Sequence, residues 1–596
     1  MTQRWINYVL GAVVIVGIIV VNIYERPRLA EERADFLGQQ MAQPDETPAE
    51  PPAERDELEL RPREQAEPEP EPDPEPDPEP PSDDPELEPE DSPELGDYGV
   101  TASHPEAVQV GMDVLDAGGN AVDSAISVAY ALGVVEPFGS GLGGGGTMLI
   151  HEPDGTAVAY DYRETAPQSG VRPNSNIGVP GFVAGMEVIH DAHGTIEKAD
   201  LIEPAARFAE DGVTVTEYLH ERLSDASYRM PVHLSPELFP NGEPIEPDQI
   251  LHQPAYGQAL RQIQEEGQAA FYEGGLGQQI VDAVSGLEMD DFAAYEVLEL
   301  EPTVGTFAGY EVISGAAPAS GQALIQTLQI AEAAGINDIE LGTTEAYHTI
   351  AQAWRASMSD RNEFVGDPSH EDVPVDQLLS TEHAESIAAQ IPADDFLNVA
   401  EVDSALSTET DTTHVVVVDS EGRMVSMTNT LSNFFGSGLP VSGFFLNDQL
   451  KNFAGDPESV NATAPGKRPR SFVTPTIVAS DGDAVLGIGS PGGRRIPMVT
   501  AQVLIGWAGQ GHDLDTATEA ARFHLEGNEM QVEQALETEV FNELTARGYV
   551  ITEDMPTTEY FGGMQALLVD HDAGQISGVA DARRDGAWES ASQSGE

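Results

Sequence analysis

The sequence predicts a mixed α/β globular body carried behind an N-terminal membrane span and an extended acidic stalk, and three observations carry that expectation. Residues 5–24 read WINYVLGAVVIVGIIVVNIY without a charge. A proline- and acid-rich stretch follows, ending in PEPEPDPEPDPEPPSDDPELEPEDSPEL. Beyond Asp97, apolar residues return at alternating helical and strand spacing with glycine-rich turns between them.

Twenty helical residues at 1.5 Å each reach about 30 Å, the thickness of the hydrocarbon core, so residues 5–24 are long enough to cross. The following Glu25-Arg26-Pro27-Arg28 offers no small-residue cleavage site, which favours a retained anchor over a removed signal peptide. Arg4 lies before the span and Arg26 and Arg28 after it, so the basic flanks do not set its orientation. In residues 25–98 proline removes backbone donors and like charges repel, so this segment cannot bury a core and is expected to be an extended, disordered stalk.

The 596-residue chain carries 104 acidic and 27 basic side chains, a net charge of -77, and only three lysines, Lys198, Lys451 and Lys467. Residues 45–98 hold 23 acidic and three basic groups and residues 1–44 cancel, which leaves -57 on residues 99–596. A compact body so charged repels itself unless salt shortens the Debye length to roughly 3 Å at 1 M. The composition therefore predicts a salt-adapted protein and argues against nucleic acid as a partner. The absence of cysteine excludes disulfides, thiolate catalysis and cysteine-ligated zinc. Neither a G-x-S-x-G elbow nor an H-E-x-x-H pair is present, and no metal or cofactor is expected.

Within the body, the stretch from Ala107 to Pro137 has apolar residues at helical spacing interrupted by Gly118-Gly119, which predicts two packed helices. The glycines from Gly139 to Gly146 lack the Lys-Ser or Lys-Thr of a phosphate loop and run into a strand from Thr147 to His151, so close backbone packing explains them better than a nucleotide. Val415 to Val418 is a β-branched apolar run expected of a strand covered on both faces. Asp419-Ser420-Glu421-Gly422 is a turn signal, and Met424 to Thr430 reads as the returning strand. A hairpin centred on Glu421 sets Thr412 opposite Thr430. Cross-strand threonine pairs are common in ordinary sheets, so the pair alone does not mark a site. Farther on, RPRSFVTPTIV from Arg468 predicts another strand, and GIGSPGGRRIP from Gly487 a turn whose Gly492 and Gly493 N–H groups suit a developing oxyanion.

Ten segments in order resemble the gamma-glutamyltransferase family: GGNAVDSA at Gly118, EPFGSGLGGGGTML at Glu136, YRETAP at Tyr162, GVPGFVAG at Gly178, TTH at Thr412, TNTL at Thr428, FGSG at Phe435, SPGG at Ser490, GGMQA at Gly562 and ARRDGA at Ala582. The resemblance implies a four-layer αββα N-terminal-nucleophile fold. It implies a precursor that cuts itself between Asp411 and Thr412 into a large subunit, residues 99–411, and a small subunit, residues 412–596. The freed α-amine of Thr412, with a reference pKa of about 7.7 to 8.0, can accept the hydroxyl proton near neutral pH. By the same resemblance, Thr430 hydrogen-bonds the nucleophile, Gly492 and Gly493 form the oxyanion hole, Arg163 binds the substrate α-carboxylate and Ser471 helps orient it.

Departures from the family pattern matter as much. The aspartate that takes the substrate α-amino group falls on Asn452, the asparagine of TLN on Ser432, and the second serine of RPLSS on Phe472, whereas Gln449 is retained. The stretch from Asn452 to Arg468 is shorter than the family's lid loop, which predicts a more open site. The implied activity is transfer of a gamma-glutamyl group from glutathione-like amides through acyl-Thr412 to water or an amine or peptide acceptor. The departures keep open a glutaryl or other dicarboxylic-amide acylase of the same mechanism, as in the related cephalosporin-acylase-like branch. A third reading, from another class, is an inactive surface binding protein that keeps the fold. The family and the stalk place the expected catalytic body outside the cell.

Overall fold

The computed structural model describes Leu95 and residues 97–400, 411–553 and 558–592. The expected anchor and nearly all of the stalk lie outside these residues; among the described ones no helix is long and apolar enough to cross a membrane. The folded body begins slightly earlier than the stalk boundary at residue 98. Strand β1 (Asp97–Ala102) pairs with the last strand, Asp97 opposite Ser592, and Tyr98 is buried with its hydroxyl donating to Asp116.

Two antiparallel sheets face each other. The first has seven strands, ordered β13 (Ala587–Ser592), β1, β7 (Asp411–Val418), β8 (Met424–Ser432), β2 (Gly145–His151), β3 (Ala157–Asp161) and β4 (Leu298–Leu300). The second has six, ordered β12 (Gln575–Ala580), β11 (Gln565–Asp570), β10 (Asp483–Gly489), β9 (Thr476–Ser480), β6 (Tyr310–Ser314) and β5 (Thr303–Phe307). The strand expected from Arg468 starts only at Thr476: Pro469 and Pro475 lack the N–H a ladder requires, and the residues between run as irregular backbone.

Strand β7 shows how the layers form. Val415 and Val417 pack into a cluster with helices α1 (Pro105–Asp116) and α2 (Ala121–Val135), while Val416 and Val418 join Ile477, Leu567 and Val569 of the second sheet. All four are fully buried, each contributing about 1.5–3 kcal/mol of transfer free energy. A period of two on a strand covered on both faces yields this continuous apolar run. The outer face of the second sheet carries α3 (Gly321–Ala333), α4 (Thr344–Phe364) and α5 (Ile496–Leu504) around Val478, Leu486 and Ile488. Helix, sheet, sheet and helix thus follow one another across three apolar interfaces.

Helices α1 and α2 are the two read from the sequence, separated by Gly118-Gly119. Asn120 caps α2 through a reciprocal box with Asp123, and the Asp419 carboxylate accepts from the Ala121 N–H. That last bond ties α2 to the turn of the β7–β8 hairpin.

Candidate active site

The β7–β8 hairpin runs in the expected register, Met424 opposite Val418 through Asn429 opposite Thr413, so its centre falls at Glu421. Beyond Asn429 the register slips at a bulge, and Ser432 pairs with Asp411. Ser432 carries the cost of the bulge, with φ at 84°, a left-handed conformation uncommon for a non-glycine residue. In exchange its N–H donates to Thr430 Oγ1 at 2.9 Å, and Thr412 Oγ1 donates to the same oxygen at 3.3 Å. Both threonines are buried.

The glycines before β2 allow this packing. A Cβ on Gly144 would overlap the Thr430 carbonyl, and one on Gly146 would overlap the Asn429 side chain. Across the sheet, Tyr162 donates its hydroxyl to Asn429 Oδ1 at 2.7 Å. His414 lies between the sheets, its Nδ1 2.9 Å from Thr428 Oγ1 and its ring directly against Gly489. Burial lowers its pKa to about 3, so the imidazole is neutral at physiological pH.

Thr412, Thr430, Ser432, Gln449, Asn452, Ser471, Phe472 and Gly493 line one cavity, with Val473, Arg494 and Ile496 completing its wall. In this uncut chain the cavity measures about 30 Å³, room for about two water molecules. Gly492 and Gly493 have φ of 132° and 59°, values that favour glycine, and lead through a short 3₁₀ turn, Gly493–Arg495, into α5.

Among the described residues no acidic side chain lines this cavity. The neighbouring carboxylate, Asp448, accepts from the Asn433 N–H at 3.1 Å and side-chain amide at 2.5 Å, and pairs with Lys451 at 3.2 Å. Asn452 donates to Gln449 Oε1 at 3.3 Å, while Gln449 Nε2 is buried without a hydrogen-bond partner among the described residues. A buried amide left unsatisfied costs about 1–3 kcal/mol, which makes this N–H pair available to an incoming acceptor.

Arg163 stands apart from the cavity, contrary to the expectation of a substrate-facing guanidinium. It is fully buried, pairs with Asp161 at 2.5 Å, and donates from Nη1 to the Pro469 carbonyl at 3.0 Å. The reason is local: a buried guanidinium needs a counter-ion, and Asp161, two residues earlier, supplies both carboxylate oxygens. The next residue, Glu164, is equally buried with neither oxygen partnered among the described residues. Burial pushes its pKa up to about 8; Asp161 and Asp448 add to the rise and Arg163 opposes it.

Sequence reading did not single out Val473, Ile496 or Arg494. Arg494 immediately follows the twin glycines, but adjacency in sequence does not say whether a side chain lines a cavity. It also pairs with Glu526, whose partnership has no sequence signature.

The site therefore has a recognisable form: an αββα body with a buried threonine hydroxyl at a strand start, a second hydroxyl bonded to it and Gly493 of a twin-glycine turn on the same cavity. Comparison with known proteins agrees. The gamma-glutamyltranspeptidase family model matches residues 107–591. The chain is 40% identical over 495 residues to the capsule biosynthesis protein CapD proenzyme of Bacillus anthracis, covering 83% of this chain and 91% of that protein. It is 34% identical over 519 residues to the glutathione hydrolase proenzyme of Escherichia coli strain K12, covering 80% and 89%. The crystal structure of cephalosporin acylase from Bacillus halodurans superposes with a TM-score of 0.74 at 26% identity, over 85% of this chain and 99% of that one. This chain belongs to the gamma-glutamyltranspeptidase family of enzymes.

Proposed function

We propose that this chain is a gamma-glutamyl transferase and hydrolase that cuts its own Asp411-Thr412 bond and then carries a gamma-glutamyl group as an ester on Thr412. The observation that carries the reading is the Thr412–Thr430 hydroxyl pair on one cavity with Gly493. In maturation, Thr412 Oγ1 attacks the Asp411 carbonyl carbon, the C–N bond breaks, and the nitrogen leaves as the Thr412 α-amine. Water then opens the resulting ester, restoring the hydroxyl and leaving Asp411 as the new carboxyl end. In turnover the amine takes the hydroxyl proton, Oγ1 attacks the donor's γ-carbonyl, and the proton passes to the departing amine. Gly492 and Gly493 N–H groups take the oxyanion charge. Water or an amine acceptor then releases the acyl group.

Intact-mass analysis in high salt tests this. The parent should resolve into two chains with Thr412 leading the smaller, and T412A should remain whole. A parent that stays uncut would favour a binding protein instead.

A second reading is favoured by Asn452 and by the absence of an acidic side chain among the described residues on the cavity: a glutaryl or other dicarboxylic amide as donor. A substrate ammonium finds no full negative charge there, whereas a glutaryl group has no ammonium to place. Equal or greater turnover of glutaryl than of gamma-glutamyl anilide would decide for it.

The same proposal includes residues 99–411 and 412–596 as paired subunits, Ser471, Gln449, Ser432 and Phe472 as donor contacts, and Arg163 as a substrate contact only if the mature chain frees it from Asp161. It also includes a retained membrane anchor, an extracellular body and salt adaptation. Partition of the full chain into membranes, protease access from outside intact cells and a melting temperature rising from 0.1 to about 3 M KCl, where screening is nearly complete, test these three.

A further inference from the structure

Arg361 lies on α4, one side chain behind the cavity wall. Its guanidinium carbon is 4.2 Å from the centroid of the Phe472 ring, Nη2 donates to the Ser471 carbonyl at 2.9 Å, and Nε donates to Ser320 Oγ at 2.8 Å. Ser320 Oγ in turn donates to the same Ser471 carbonyl at 2.6 Å. Ser471 and Phe472 both line the cavity with Thr412. Arg361 is thus wired to two adjacent cavity residues and to no other part of the wall.

Its charge is also uncompensated. Arg361 is 3% exposed, and among the described residues no carboxylate pairs with it. Arg163 has Asp161 and Arg494 has Glu526. Burial, followed by the like charges of Arg470, Arg163 and Arg494, depresses its pKa. Guanidinium groups stay charged even so, and a desolvated cation without a counter-ion is costly unless an anion arrives. The neighbouring acid on the helix, Asp360, is turned away, accepting from Gln326 at 2.6 Å and lying 2.7 Å from His383.

We propose that Arg361 is a positioning and specificity residue that selects donors whose acyl group carries a carboxylate, acting through Ser471 and Phe472. The bond to the Ser471 carbonyl fixes the backbone on which the Ser471 hydroxyl is presented. The buried positive charge behind Phe472 lowers the energy of an anion in a cavity that has no acidic lining among the described residues. Gln449 Nε2, unpartnered among the described residues and on the same cavity, offers that anion a hydrogen bond. The inference rests on the acyl-transfer reading above and applies to gamma-glutamyl and glutaryl donors alike, since both present a carboxylate at the same distance from the scissile carbonyl.

The test compares two chromogenic anilides of equal size, glutaryl p-nitroanilide and its terminal carboxamide analogue, with the mature parent, R361Q and R361K. In the parent, kcat/KM should favour the carboxylate. In R361Q that preference should fall by about tenfold or more, the scale of one charged contact, with the loss in KM and with little change for the carboxamide. R361K should recover part of it. Completed self-cleavage reports that each variant has folded; if R361Q does not mature, R361K alone decides, because losing the paired bonds to the Ser471 carbonyl and Ser320 Oγ should still raise KM for the carboxylate selectively. Equal losses on both anilides, or an undiminished preference, overturn the role of Arg361. A mature parent that cleaves neither the glutaryl nor the gamma-glutamyl anilide sinks the functional reading itself and this inference with it.

Discussion

Substituting Glu164 by glutamine should remove a pH-dependent penalty built into the body of the protein. The ordinary glutamate pKa of 4.5 is raised to about 8 by burial, so the native carboxyl is protonated at neutral pH while the unfolded one is ionised. Between those values the native state binds the extra proton, and stability falls as pH rises. Below about 4.5 both states are protonated and the term vanishes; above about 8 both are ionised and the full penalty is present. At 1.36 kcal/mol per pH unit the interval corresponds to at most about 5 kcal/mol. Glutamine has nearly the shape of the protonated acid and never ionises. The melting temperature of E164Q minus that of its parent should therefore increase from pH 5 to pH 9, whatever constant offset the amide introduces. Both proteins are best compared in a T412A background, so that self-cleavage does not vary with pH. Parallel curves across that range would show that Glu164 is ionised or solvated in the native protein, and the reasoning from burial would fail.

His414 carries the opposite sign: its pKa is lowered from 6.5 to about 3, so the unfolded state binds the proton first and stability should decline as pH falls from about 6.5 towards 3. An H414N variant should flatten that acid limb in a thermal-shift titration; an unchanged limb would assign it to other groups. Replacing Gly492 by alanine forces a side chain to φ 132° and displaces the proposed oxyanion donor, so anilide turnover should fall about 100-fold or more with the melting temperature lowered only modestly. Asn452→Asp should restore an anion for a substrate ammonium and raise the ratio of gamma-glutamyl to glutaryl turnover by about tenfold, and a ratio that stays put would mean that position 452 does not face the donor nitrogen.

How far the sequence revealed the site depended on the range of the interactions involved. The hairpin was legible because register follows from a turn signal and two apolar runs, both local, and β-branched residues at Val415 to Val418 announced a strand covered on both sides. The twin glycines were legible because the positive φ at Gly492 and Gly493 leaves few alternatives. The bulge at Ser432 was hidden: it arises where the β7–β8 pairing ends against the Gly139–Gly146 segment, a tertiary constraint, and Leu431 N–H donates to the Gly139 carbonyl at 3.0 Å there. The pairing of Arg163 was hidden for a similar reason. Its motif identifies the residue but not the Asp161 carboxylate that occupies it, and i, i+2 ion pairs have no characteristic pattern outside regular structure. Arg361 was silent, since nothing in SDRNEF tells a buried guanidinium from an exposed one.

The charge of the whole chain and the charge around Thr412 have opposite signs, and salt reconciles them. A body with a net charge of -57 repels an anionic donor at long range, which opposes a site built for a carboxylate. The three lysines do not soften that field locally: Lys198 is paired with Glu187 and Asp191, Lys451 with Asp448, and Lys467 with Glu371. At molar salt the Debye length shrinks to roughly 3 Å, so the summed surface charge ceases to act on an approaching donor, while a buried charge is screened much less. Under those conditions the guanidinium of Arg361, lying against Phe472 without a carboxylate among the described residues, dominates what an anion meets in the cavity. Salt should then raise kcat/KM for carboxylate donors mainly by removing long-range repulsion, and the preference over the carboxamide should persist where the repulsion is gone. Loss of that preference at high salt would place the selecting charge on the surface instead of behind Phe472.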